Sequence, residues 1–191
     1  MCKQGNYQNG QGIREAGAPV LLRLSGFVGD SIVDGPGLRC VVFGQGCPHN
    51  CPGCHNPATH PFTGGEMVSV SELFARIGRY PLCSGVTFSG GEPFAQPEAF
   101  AALARLLRKT GRYELAAYSG YTFEELLAGS TAQKDLLSLV DILIDGRFEL
   151  PQKNLNLRFR GSANQRILHV PQSLARGAAT WETAPRWVGG E

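Results

Sequence analysis

The sequence predicts an α/β fold, one domain built on a parallel sheet with helical crossovers. Three observations carry that expectation. Short β-branched or aromatic runs alternate with amphipathic stretches along the middle of the chain, the pattern of right-handed βαβ units. Glycine-rich segments follow several of these runs, where loops at the C-terminal ends of parallel strands gather functional groups. The chain has 191 residues, 42% of them hydrophobic, enough for one sizeable core and too few for an eight-unit barrel. Any barrel it forms is therefore incomplete, and no internal repeat is visible.

The elements follow in order. Residues 1–19 are rich in Gly, Gln and Asn and read as a mobile tail ahead of a domain spanning 20–172. Leu38 to Phe43 reads as the first strand, ending in a Gly/Pro/Cys loop from Gly44 to Pro61. Ser69 with Glu72 has capping-box spacing, and Leu73, Phe74 and Ile77 share a face, so a helix is expected over 69–80. Gly85 to Phe88 is the next strand. A helix over 97–109 places Phe100, Leu103, Leu106 and Leu107 on one side, cations toward its end and Gly111 as a stop. Tyr113 to Tyr118 is a strand, Thr122 with Glu125 caps a further helix, and Lys134 to Leu139 continues helical periodicity. Asp141 to Ile144 reads as a buried strand and Arg166 to Val170 closes the series. Residues 173–191, rich in Ala, Gly, Thr and Pro without apolar period, read as a second mobile tail.

Charge excludes some partners. The net charge is +2 and no Lys/Arg run forms a stripe able to track phosphates, so nucleic acid is not expected. No apolar stretch approaches the roughly 20 residues of a membrane span, and the polar start lacks the apolar centre of a signal peptide, which predicts a cytoplasmic protein. Of six cysteines, three crowd into Cys47-Pro-His-Asn-Cys51-Pro-Gly-Cys54, a C-x3-C-x2-C loop just after a strand. That crowding points to a metal rather than to disulfides. A structural zinc site completed by His49, His55 or His60 is one reading. The other is a cubane iron-sulfur cluster that lacks a fourth cysteine and leaves one iron open to a small molecule. Cys40 and Cys83 read as buried thiols, and Cys2 falls in the N-terminal tail.

Further segments join the cysteine loop. Phe88-Ser-Gly-Gly-Glu-Pro93 ends the second predicted strand, and its glycines let backbone approach a ligand closely. Ser31-Ile-Val-Asp-Gly-Pro-Gly-Leu-Arg39 precedes the cysteine strand. Ala117 to Leu126, Val140 to Phe148 and Arg158 to Arg166 complete the set. With these, the sequence resembles the radical S-adenosylmethionine family over nearly all of residues 22 to 170. Within it, the chain is similar to the activases of glycyl-radical proteins, in particular the branch that activates anaerobic (class III) ribonucleoside-triphosphate reductase.

The resemblance implies a partial (βα)6 barrel of the radical S-adenosylmethionine type, open enough on one side to admit a protein loop. It implies that Cys47, Cys51 and Cys54 hold one 4Fe-4S cluster, and that S-adenosylmethionine chelates the fourth iron. Gly90, Gly91 and Glu92 would bind the methionyl end, with Ser119, Asp145 and Arg147 nearby. Where the wider family often has an aromatic residue before the third cysteine this chain has Gly53, so Gly53 backbone and the His55 side chain become the candidates for adenine contact. Arg147 stands where lysine is common, keeping charge but not geometry. Asp34 and Arg39 would sit near the mouth, where the partner's glycine loop enters. Arg160 and Asn164 are balanced between fixing a loop and touching ligand.

The implied reaction is reductive cleavage of S-adenosylmethionine to a 5′-deoxyadenosyl radical, which takes hydrogen from a backbone glycine of the reductase large subunit. A flavodoxin-like donor would supply the electron, and no side chain is assigned acid or base work. The alternatives are an activase of another glycyl-radical enzyme, of formate- or diol-lyase type, and a non-catalytic iron-sulfur or zinc protein.

Overall fold

A computed structural model describes residues 18–189. The expected tail 1–19 and Cys2 lie outside or at the edge of that range. Seven strands, β1 (Leu21–Ser31), β2 (Arg39–Gly44), β3 (Glu66–Ser69), β4 (Gly85–Gly90), β5 (Glu114–Tyr118), β6 (Ile142–Asp145) and β7 (Arg166–His169), form one sheet in the order β3-β1-β2-β4-β5-β6-β7. At its centre β2 (Arg39–Gly44), β4 (Gly85–Gly90), β5 (Glu114–Tyr118) and β6 (Ile142–Asp145) run parallel. The α/β class with βα alternation is therefore the observed one. The two outermost strands, β3 and β7, do not pair with each other, so the barrel stays open.

Of the remaining three strands, two run against this central set and one runs with it. β1 (Leu21–Ser31) and β3 (Glu66–Ser69) add an antiparallel wing beside β2, and neither shows as a strand in the sequence. β1 hides because only Leu22, Leu24 and Ser31 of its eleven residues are buried and two register irregularities break its alternation. β7 (Arg166–His169), expected to be parallel, pairs antiparallel with β6. Only an irregular segment with a single 3-10 turn, Leu150–Gln152, separates these two strands, and no crossover α-helix imposes a parallel return.

The helices cover the outer face. α1 (Val70–Gly78) is capped by Ser69, whose side chain accepts from the Glu72 amide, and buries Leu73 and Ile77. α2 (Pro97–Lys109) buries Phe100, Leu103 and Leu107. The expected third helix is two: α3 (Phe123–Ala128) with a full Thr122/Glu125 capping box, and α4 (Thr131–Leu139), capped by Ser130 and Gln133. A break at Gly129 and Ser130 separates them, and each adds to the common core, α3 with Phe123 and Leu126, α4 with Leu136 and Leu137.

Alternation along the strands separates two layers. Cys40, Val42, Val86, Phe88, Leu115, Ala117 and Leu143 face the helices. Ala116, Ile142, Ile144 and Ile167 face the inside of the half-barrel, where they meet Trp187.

That tryptophan overturns the expectation for the C-terminal stretch. α5 (Val170–Arg176) crosses residue 173, residues 180–182 bond back to β7, and the short α6 (Pro185–Val188) inserts Trp187, fully buried, beneath the inner layer. Low apolar density concealed this segment because a single large anchor, rather than a repeating face, secures it.

Candidate functional site

The four parallel strands end in one cavity of about 690 Å³, bordered by Phe43, Ser89, Gly90, Tyr118 and Gly146. That volume suits a ligand of cofactor size. Cys47, Cys51 and Cys54 all border it, as free thiols in the loop after β2. The loop closes on itself: Gly46 donates its amide to Thr59 O and Cys47 to His60 O, while the Gln45 side-chain amide donates to the carbonyls of Ala58 and Pro61. Asn50 and Gly53 take left-handed backbone conformations that turn the loop twice between its cysteines. Burial pushes the Cys47 thiol up, partly opposed by backbone donors at His49 and Asn50. The Asn56 amide donates to the sulfur of Cys54 at 3.4 Å.

These donors fit the expected cluster. Three soft thiol donors on one short loop border one cavity, the donor set that a polynuclear iron-sulfur centre takes. Among the described residues, no three His, Cys, Asp or Glu side chains are arranged to hold a single metal ion.

Beside the thiols lies the Gly-Gly-Glu-Pro turn. Gly90 has φ of 96°, and a Cβ there would sit 2.7 Å from the backbone of Phe43 and Gly44. A Cβ on Gly91 would lie 2.3 Å from Gly46 O, so backbone here is pressed directly on the cysteine loop. Gly91 donates to Gly44 O and Glu92 to Gly46 O, both at 2.8 Å. Glu92, expected to touch cofactor, is only 1% exposed, and both its oxygens are occupied by this chain. Oε1 accepts from the Phe94 amide and Ser119 Oγ, Oε2 from the Gly120 amide and His49 Nε2. Glu92 borders the cavity while both its oxygens are paired within the chain. Ser119, although it borders the cavity, spends its hydroxyl hydrogen on Glu92.

His55 reaches the cavity wall and packs on Phe148 with ring centroids 5.1 Å apart. Gly53 turns outward, where a Cβ would meet Leu150 at 2.9 Å. Asp34 borders the cavity and accepts from Ser31 Oγ.

Arg39 corrects an expectation. It starts β2, at the end of the sheet away from the cysteines, and is 1% exposed, beyond reach of a partner. Its guanidinium bonds to Thr87 Oγ1 and to the side chain and carbonyl of Glu114, and lies 5.4 Å over Trp187. Burial lowers its pKa, with Glu114 acting in opposition. A sequence shows that an arginine follows a Gly-Pro-Gly turn, but not which end of the strand faces solvent.

Asp145 is likewise fully buried, accepting from the Phe123 amide and from Arg166. Arg147 is exposed beside a second, smaller hollow of about 230 Å³ bordered by Asp145 and Arg166. Arg160 borders the main cavity and ties its Nη1 to Gln165 O, and Asn164 donates to Arg147 O. The sequence offered His49 only as a possible zinc ligand and did not single out Gly120 or Tyr121 as site members. Their signal lay in the loop spacing and the Ser-Gly-Tyr triplet, but pairing them requires the fold.

The family described as a 4Fe-4S single cluster domain matches residues 33–168. The anaerobic ribonucleoside-triphosphate reductase-activating protein of Pasteurella multocida (strain Pm70) is 36% identical, over 74% of this chain and 93% of its own. That of Escherichia coli (strain K12) is 35% identical, over 73% and 93%. The pyruvate formate-lyase-activating enzyme of Clostridium pasteurianum is 37% identical over 56% of this chain and 49% of its own. Among the described residues, no helix is long and apolar enough to cross a membrane.

Proposed function

Since the chain belongs to the 4Fe-4S single cluster domain family of radical S-adenosylmethionine enzymes, we propose that it activates an anaerobic ribonucleoside-triphosphate reductase by generating its glycyl radical. The observation that carries this reading is one cavity bordered at once by three free thiols and by the tightly packed Gly90-Gly91 backbone.

Cys47, Cys51 and Cys54 would hold the cluster, and S-adenosylmethionine would complete its coordination. When bound, this pair supplies one-electron cleavage and a carbon radical able to take hydrogen from a partner glycine. The chain's own residues bind, orient and shield. Backbone at Gly90 and Gly91 lets the methionyl end approach without a side chain between, and His55 offers a ring on the cavity wall for adenine. Glu92, Ser119 and Asp145 support this surface from below, through buried hydrogen bonds. Gly146 borders the cavity, and Arg147 beside it offers a cation at the edge. Asp34 and exposed Val33 flank the opening, where the partner's loop would enter. The electron would come from a flavodoxin-like donor, in the cytoplasm.

The likeness to the pyruvate formate-lyase activase spans under half of that protein, so a reductase is the favoured partner. The test is anaerobic. Protein loaded with iron and sulfide is reduced with dithionite and given S-adenosylmethionine, and 5′-deoxyadenosine is measured for wild type and Cys51→Ala. Product from wild type alone supports the reading; none from a fully loaded wild type refutes it. Adding reductase or formate-lyase protein and recording the glycyl radical then decides the partner.

A further inference from the structure

Within the Cys47–Cys51 arm, one side chain turns inward. Pro48 and Asn50 are exposed, whereas the His49 side chain is 4% exposed and its Nε2 lies 2.9 Å from Glu92 Oε2. The His49 ring meets Tyr121 edge-on, with centroids 4.4 Å apart at 73°. Gly120 must be glycine here, because a Cβ would fall 2.3 Å from the imidazole. Ser119, Gly120 and Tyr121 thus all serve one buried pair: two donate to Glu92 and the third walls His49.

We propose that His49 and Glu92 form a strut that fixes the cysteine arm against the ends of β4 and β5, making both of them positioning residues for the cluster thiolates. The inference rests on the cluster assignment above. Glu92 is suited to the task because it is rigid: it caps the turn at Pro93 through the Phe94 amide and takes two further donors from the end of β5. A carboxylate held by three donors from elsewhere gives His49 a fixed point to hang from. Without the imidazole, the arm keeps the backbone bond from Cys47 to His60, the side-chain bond between Asn50 Oδ1 and His60 Nδ1 at 3.1 Å and the turn at Cys51, all of which tie it to its own loop and leave it free to shift against the ends of β4 and β5. Partners of this kind, one bond removed from a metal ligand, set ligand orientation and metal retention.

The experiment uses the full chain, reconstituted anaerobically as wild type, His49→Ala, His49→Gln and Glu92→Gln. It reads the rate of iron loss to a chelator and the low-temperature electron paramagnetic resonance spectrum of the reduced cluster, at a temperature where circular dichroism shows the variants folded. The strut predicts about 10–100-fold faster iron loss and an altered spectrum for His49→Ala and Glu92→Gln. His49→Gln, whose amide still donates, should return to within roughly threefold of wild type. Iron loss by His49→Ala within about twofold of wild type overturns the strut, as does a glutamine variant no better than alanine, since packing alone would then explain the effect. Should alanine prevent folding, Glu92→Gln carries the test, and an unchanged rate and spectrum overturn it. A wild type that takes up no cluster overturns the functional assignment and the strut together; a loaded wild type matched by its variants overturns the strut alone.

Discussion

Replacing Trp187 with alanine tests whether the C-terminal segment belongs to the core. The indole is fully buried, meets Phe159 edge-on at 5.4 Å and underlies Arg39 at 5.4 Å, within a layer of Ala116, Ile142, Ile144 and Ile167. Its Nε1 lies 3.4 Å from Glu114 Oε1, a long contact that adds little. Truncating a buried tryptophan costs roughly 3–5 kcal/mol in transfer and cavity terms. Loss of the cation–π contact to buried Arg39 sits at the desolvated end of its range and favours the upper half of that interval. Against a total stability of about 5–15 kcal/mol for a domain, this is a large fraction. Urea unfolding of the cluster-free protein, followed by circular dichroism, should show a lower midpoint at similar slope. A loss below about 1 kcal/mol would mean that residues 173–189 are the detachable tail their composition predicts, and would refute the packing argument.

Other outcomes follow from the same geometry. Gly91→Ala places a methyl 2.3 Å from Gly46 O, and should displace the cysteine loop and weaken S-adenosylmethionine binding in equilibrium titration, while Gly111→Ala, open on all sides apart from its φ of 64°, leaves binding unchanged. Cys40, its thiol pushed up to about 12 by burial and by Cys83, should resist iodoacetamide in native protein at pH 8 and react after unfolding, as peptide mass spectrometry will show. Arg166 holds the Glu124 carboxyl below its usual value. A depressed folded pKa contributes stability above the unfolded value of about 4.3, lost as pH falls through the folded one, so Glu124→Gln should flatten the acid limb of a stability profile.

Legibility in the sequence tracked locality. α1, α2 and α3 announce themselves through caps and apolar spacing, both set by neighbours three or four residues apart. β2, β4, β5 and β6 announce themselves by being buried on both faces. β1 and β3 do not, because a wing with one exposed face and irregular register leaves no clean alternation. The cysteines and Gly90-Gly91 were legible as a motif. Which polar side chains are already paired within the fold was not: Glu92, Asp145 and Arg39 each bond to partners 22 to 75 positions away. Those pairings arise only when strand ends are brought side by side.

Arg39 sits where four stretches of chain meet: it belongs to β2, bonds to β4 through Thr87, to β5 through Glu114, and stacks on α6 through Trp187. None of these stretches can leave without stranding a buried cation, so the lower half of the barrel has no small opening motion of its own. Amide hydrogens at the starts of β4 and β5 should therefore exchange only through global unfolding. The lock beneath the sheet thus sits one six-residue strand's length from the cysteine loop, so the floor that carries the site cannot loosen piecemeal.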